Sequence, residues 1–178
     1  GLIVPVEQWV LAEALDCLAD WQRQGRRLHL SVNISPQHLE RGNLVQELHQ
    51  EQRRSGADLR DLTVEITETV VLQAQAQAEA LLLELKAAGV RVALDDFGTG
   101  YSSLAWLSRL PVDAVKLDQS YVQQMSEDER CTTLVRGFVR VFQEMGLEVV
   151  AEGIETELQR QRLLDMGCTI GQGYLFSR

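Results

Sequence analysis

The chain has 178 residues, 45% of them hydrophobic and 24% charged, a composition that suits one soluble globular domain with a substantial core. Its formal charge of −9 disfavours general binding to DNA, RNA or anionic membranes, but leaves room for one small anionic ligand where metal ions reverse the local sign. No apolar run is long enough to cross a bilayer. The opening Gly1-Leu2-Ile3-Val4-Pro5 lacks the basic region of a signal peptide and reads as a chain entered midway. Cys17, Cys131 and Cys168 form neither an even set nor a CxxC pair, so they read as reduced thiols of a cytosolic protein. With no Pro/Ser-rich linker and no long charge block, residues 1–178 read as one domain.

In chain order, Trp9, Val10, Ala14, Leu18 and Trp21 recur at helical spacing, predicting a helix over 6–24 that stops at Gly25. Leu28–Ile34 reads as a strand, and a helix follows from Pro36, suited to a first helical position, to about Ser55. Leu62–Ile66 is the next strand. Between Gln73 and Ala80, Ala alternates with Gln or Glu, but these are strong helix formers, and Leu81, Leu82, Leu85 and the closing Gly89 support a helix. Further strands are expected at Val90–Leu94, Ala114–Leu117, Leu147–Ala151 and about Cys168–Ile170. Helices are expected near Ser102–Ser108, Asp128–Met145 and Glu157–Met166.

Strict alternation of strand and helix implies an α/β fold with a parallel sheet covered by helices. Six strands suit an open doubly-wound sheet without deficit, whereas a (β/α) barrel has eight strands and typically about 250 residues. The chemistry at the strand ends favours the barrel. Asn33 lies between Val32 and Ile34; Glu65 lies between Val64 and Ile66, with Glu68 three residues on. Asp95 and Asp96 follow Val92-Ala93-Leu94, and Lys116 lies between Val115 and Leu117. Glu152 follows Val149-Val150-Ala151, and Gln172 follows Thr169-Ile170-Gly171. A single Asp after a strand is more often a turn or helix cap than a ligand. Capping does not explain a polar group at the C-terminal end of every strand, which is where parallel α/β folds build their sites.

Glu65, Asp95, Asp96 and Glu152 at one barrel mouth would repel one another, and Lys116 alone does not neutralise them. Hard divalent cations do, and all-oxygen ligation points to Mg²⁺ or Mn²⁺. His29, His38 and His49 show no paired zinc-ligand spacing. Adjacent aspartates suit two metals, and two-metal sites clamp an in-line phosphoryl displacement.

The motifs that carry these residues are Ser31-Val32-Asn33-Ile34-Ser35, Glu65-Ile66-Thr67-Glu68-Thr69 and the segment from Asp95-Asp96-Phe97-Gly98 through Thr99-Gly100-Tyr101-Ser102-Ser103-Leu104. Val115-Lys116-Leu117-Asp118, Ala151-Glu152-Gly153-Ile154-Glu155-Thr156 and Gly171-Gln172-Gly173-Tyr174-Leu175-Phe176 follow. In this order they resemble the successive motifs of the EAL family, over essentially the whole chain. The resemblance implies a TIM-like barrel that hydrolyses cyclic di-GMP to linear pGpG with two Mg²⁺ or Mn²⁺ ions. By motif, Asn33, Glu65 and Asp95 hold the first metal, and Asp95 bridges to the second, bound also by Asp96 and Glu152. Lys116 orients the attacking water, and with Glu152 it is the expected catalytic pair. Gln172 stands near the water on the metal or the substrate phosphate. Glu68 touches no metal but tethers the Asp95–Leu104 loop. The resemblance also implies a homodimer formed through that loop and the helix after it. GGDEF or sensor domains are expected in the same longer chain, with the module on the cytoplasmic side.

The family's name-giving Glu-Ala-Leu strand, with its metal-binding Glu and substrate-binding Arg, belongs upstream of Gly1. Glu13-Ala14-Leu15 and Glu79-Ala80-Leu81 are decoys, since both fall within predicted helices and the Arg position holds Cys17 or Leu83. The expected architecture is therefore an incomplete barrel of about six strands, an excerpt of a longer protein or a fragment that needs complementation. The alternatives to an enzyme are a non-catalytic cyclic di-GMP receptor and a structural or dimerisation remnant.

Overall fold

The computed structural model describes residues 1–73, 75–98 and 104–177. Its six strands follow one another in the sheet as they do in the chain, in the order β1-β2-β3-β4-β5-β6. Two compact units divide the chain, Gly1–Ala93 and Leu94–Arg178.

The first unit opens with α1 (Ile3–Arg23), which buries Val4, Leu11, Leu15 and Leu18 at helical spacing. Trp9 is 63% exposed, so the inward face is not the one its bulk suggested. Strand β1 (Leu30–Asn33) pairs in parallel with β2 (Leu62–Thr67), in a register that sets Asn33 opposite Glu65. The helix expected over Pro36–Ser55 is two helices, α2 (Pro36–Arg41) and α3 (Leu44–Ser55). Gly42 separates them at φ 69°, a left-handed conformation that glycine adopts without the Cβ penalty and that ends a helix. Ser35 caps α2, its side chain accepting from the His38 backbone N–H, and Pro36 takes the first turn as expected. Two helices, α4 (Glu68–Gln73) and α5 (Gln75–Ala87), follow β2. Glu13 and Glu79 of the two decoy triplets are exposed, on α1 and α5.

Strand β3 (Arg91–Phe97) runs past the predicted end at Leu94, so Asp95 and Asp96 lie inside the strand rather than after it. In the second unit, α6 (Leu104–Leu107) covers part of the expected Ser102–Ser108 helix; Ser102 and Ser103 lie outside the described residues. Strand β4 (Ala114–Leu117) is buried along its whole length. A helix not anticipated from the sequence, α7 (Gln119–Gln124), starts at Asp118, whose carboxylate accepts the Ser120 N–H at 3.0 Å. Then come α8 (Glu129–Glu144), β5 (Glu148–Ala151), α9 (Glu157–Asp165) and β6 (Ile170–Gly171). Thr156 and Gln159 form a capping box on α9, satisfying two otherwise orphaned backbone donors. The pairs β4–β5 and β5–β6 are parallel. Phe97 at the end of β3 meets the edges of Phe138 and Phe142 on α8, with ring centroids 5.4 and 4.9 Å away.

Candidate active site

Apolar packing fixes the end of β3. Phe97 is 1% exposed among the α8 phenylalanines, which anchors the last residue of the strand. Asp96 has φ 55°, a left-handed conformation that Asp tolerates better than most residues, and its N–H donates to Asp95 Oδ1 at 3.0 Å. Just beyond, the Tyr121 hydroxyl donates to the Gly98 carbonyl at 3.1 Å. A Cβ at Gly98 would lie 2.4 Å from the Tyr121 ring, and Gly98 has φ 95°, so both space and conformation require glycine. Asp95 and Asp96 thus directly precede a strand end held by an aromatic cluster at Phe97 and by Tyr121 at Gly98.

Lys116, 5% exposed on β4, places its ammonium 3.0 Å from Asp95 Oδ1 and 2.8 Å from Glu152 Oε1. Glu152 extends β5, its N–H donating to the Leu117 carbonyl. Gln172 continues β6 through an N–H to the Ala151 carbonyl, and its side-chain amide donates to Glu152 Oε1 at 2.7 Å. Five of the expected residues in this unit, Asp95, Asp96, Lys116, Glu152 and Gln172, therefore converge.

The charges there do not balance. One oxygen each from Asp95, Asp96 and Glu152 lies within 4.8 Å of the others. Burial raises the Glu152 pKa and the repulsion of Asp95 and Asp96 adds to it, while the bond to Lys116 pulls the other way. Asp96 is raised by burial first, then by Asp95 and Asp118, against Lys116. Three carboxylates this close, two of them with raised pKa values and all offering oxygen donors, have the chemistry of a hard divalent-cation site. Among the described residues no His or Cys joins this group.

In the first unit, the β1–β2 register sets Asn33 beside Glu65. Glu65 is 9% exposed, whereas Asn33 is exposed. Glu68 opens α4 and is 1% exposed; Thr99–Ser103 of the loop it is expected to tether lie outside the described residues. Two contributors were not singled out from the sequence. Asp118 acts on Asp96 electrostatically, and its only signal was its place in the Lys116 motif. Tyr121 lies 23 positions from the Gly98 carbonyl it holds, and nothing in the sequence links them.

The EAL domain family matches the chain over residues 1–178. The Escherichia coli (strain K12) protein named Cyclic di-GMP phosphodiesterase PdeR is 36% identical over 178 residues, spanning 100% of this chain and 27% of its own length. Cyclic di-GMP phosphodiesterase NbdA of Pseudomonas aeruginosa is 38% identical over 179 residues, 100% of this chain and 23% of the relative. The chain thus spans about a quarter of the length of these relatives. Among solved structures, the PaMucR phosphodiesterase in complex with c-di-GMP matches with a TM-score of 0.95 and 34% identity, covering 100% of this chain and 72% of that one. That likeness bears out the α/β, TIM-like architecture expected of the six strands. Matched from end to end in sequence and in backbone, with the family's motifs on successive strand ends, the chain belongs to the EAL domain family.

Proposed function

We propose that this chain is the hydrolytic module of a metal-dependent cyclic di-GMP phosphodiesterase that releases linear pGpG. The observation that carries the reading is the close group of a buried Asp95 with the half-buried Asp96 and Glu152, in which Lys116 pairs with Asp95 and Glu152 and burial opposes the ionisation of Asp96 and Glu152. Support comes also from two relatives named as cyclic di-GMP phosphodiesterases and from a similar phosphodiesterase solved with c-di-GMP.

In this reading Asn33, Glu65 and Asp95 would hold one Mg²⁺ or Mn²⁺, and Asp96 and Glu152, with Asp95, would hold a second. Such ions, when bound, offset phosphate charge and lower the pKa of water. Lys116, tied to both Asp95 and Glu152, fixes the separation of those carboxylates and offers an N–H to orient the attacking water. Gln172 holds Glu152 in one rotamer through its amide and faces the same oxygen as Lys116. Hydrolysis forms one bond from water oxygen to phosphorus and breaks one P–O3′ bond. One proton of that water ends on O3′ and the other passes to solvent, giving one linear dinucleotide per turnover. Glu68 orients the loop that follows Asp95 and Asp96.

The relatives are about four times as long as this chain, which leaves room for GGDEF or sensor domains beside such a module; the reading adds a homodimer on the cytoplasmic side. Leu104 at the start of α6, 39% exposed, belongs to the expected dimer face. No helix among the described residues is long and apolar enough to cross a membrane.

The test is conversion of cyclic di-GMP to pGpG with Mn²⁺ or Mg²⁺, with calorimetric binding alongside, for this chain and for the full protein that includes the upstream Glu-Ala-Leu strand. Turnover in the full protein is the expected result. Binding without turnover would make the module a receptor, and neither signal would make it a structural remnant.

A further inference from the structure

A second buried charge cluster lies in the first unit, among residues with no assigned chemistry. His38 on α2 is completely buried, with Nδ1 3.0 Å from Glu7 Oε2 and Nε2 2.7 Å from Glu47 Oε2. Each ring nitrogen therefore lies within hydrogen-bond distance of one carboxylate, so the ring joins α1 to α3. The carboxylates are themselves fully engaged. Glu7 Oε1 accepts the Ser35 backbone N–H at 2.9 Å, and Glu7 Oε2 accepts the Ser35 hydroxyl at 3.0 Å. Glu47 Oε1 accepts from the Gln8 amide at 2.6 Å and from the Asn43 amide at 2.8 Å.

A buried polar network of this kind is weak evidence for stability, because desolvation opposes the attraction within it; its contribution is to fix one geometry. Here it ties α1, α2 and α3 to a single point of backbone, Ser35, two residues after Asn33. The Asn33 side chain has no hydrogen-bond partner among the described residues, so nothing local to the carboxamide sets where it stands. Its placement follows from the backbone on either side. On one side the β1–β2 register and the Ile34 N–H to Glu65 carbonyl bond, at 3.0 Å, fix the chain to β2. On the other side Glu7 grips Ser35 by both backbone and side chain.

We infer that Glu7, locked by His38 and Glu47, is a positioning residue for Asn33: its grip on Ser35 holds the Asn33 carboxamide where a divalent cation is to be coordinated. The inference rests on the metal-dependent reading above and adds to it a residue on α1, which reaches the end of β1 from a helix rather than from a strand. Glutamine at position 7 keeps the side-chain length but replaces one acceptor oxygen with a donor that faces the Ser35 hydroxyl and His38. The grip is then halved while the helix remains.

The experiment is calorimetric titration of the full protein with Mn²⁺ alone, for wild type, Glu7→Gln, Asn33→Ala, the double variant and Glu152→Gln. Glu7→Gln is expected to weaken Mn²⁺ binding by roughly tenfold, the lower end for residues that orient a ligand from behind. In the Asn33→Ala background the same change is expected to have no further effect, since the group it positions is gone. His38→Gln, which leaves Glu7 without its lock, is expected to give a smaller loss in the same direction and serves if Glu7→Gln does not fold. A merely structural role would lower the melting temperature and leave Mn²⁺ affinity unchanged, or would cost as much without Asn33 as with it; either result overturns the inference. If Glu152→Gln abolishes binding while Glu7→Gln and His38→Gln leave it intact, only this inference fails. If wild type binds no Mn²⁺, the metal-dependent reading fails and takes the inference with it.

Discussion

The two units position their functional side chains by different means. In residues 94–178 the groups touch: Lys116 bridges Asp95 and Glu152, and Gln172 reaches Glu152. In residues 1–93, Asn33 and Glu65 are set side by side by strand register. The Asn33 carboxamide has no partner of its own among the described residues. A side-chain cluster is electrostatically self-organised but strained by its own repulsion, so it responds to charge and pH. A register-placed pair responds to whatever holds the backbone. Substitutions should therefore act through charge in one unit and through anchoring in the other.

The sharpest way to break the charge-organised unit is Glu152→Gln, which keeps the size and removes the charge shared with Lys116. Turnover of cyclic di-GMP is expected to fall by at least about 100-fold with an unchanged circular dichroism spectrum, the scale of losing a charged group at a reacting centre. Near-normal turnover would remove Glu152 from the site.

Next in size is the apolar clamp behind β3. Phe142 is fully buried against Phe97, so Phe142→Ala should cost about 3–5 kcal/mol in denaturant unfolding. A cost below about 1 kcal/mol would mean that the cluster does not hold the strand end.

The pH dependence separates the units further. Asp96 and Glu152 have pKa values raised by burial, so the folded state favours their protonated forms. Their contribution to stability is therefore fully present below the ordinary carboxylate pKa and is lost as pH rises through the raised values. Thermal melts of the metal-free protein across that window should show this loss. Mn²⁺ should remove it, and Asp96→Asn should flatten it. A metal-free protein whose stability only rises through that window would contradict the charge account.

The smallest effect is expected at Tyr121→Phe, which removes only the hydroxyl bound to the Gly98 carbonyl. About 0.5–1.5 kcal/mol of stability should be lost. A few-fold weaker Mn²⁺ response should accompany it if the clamp sets the aspartates.

Much of this was legible in the sequence because the strands are short, apolar and punctuated. Ala114–Leu117 was placed to the residue, and the polar positions at the strand ends stood out against their Val and Leu neighbours. Periodicity failed where a few residues decide. Gly42 breaks one predicted helix into two through its backbone conformation, although the amphipathic pattern runs on across it. Helix α7, six residues long, is too short to show a period and depends on the Asp118 cap. Strand β3 outruns its apolar run because Asp95 is buried against a lysine from the next strand, a contact that no local window contains. The grip of Glu7 on Ser35 spans 28 positions and His38 was read only as lacking a zinc-ligand spacing, so that network needed the fold to be seen.

The central claim is that Asp95, Asp96 and Glu152 hold a divalent cation, and it is tested most directly by crystals of the full protein grown in Mn²⁺ and measured for anomalous scattering. The account predicts an anomalous peak within coordination distance of all three carboxylates. No peak at saturating Mn²⁺, or a peak coordinated only by other residues, would contradict it.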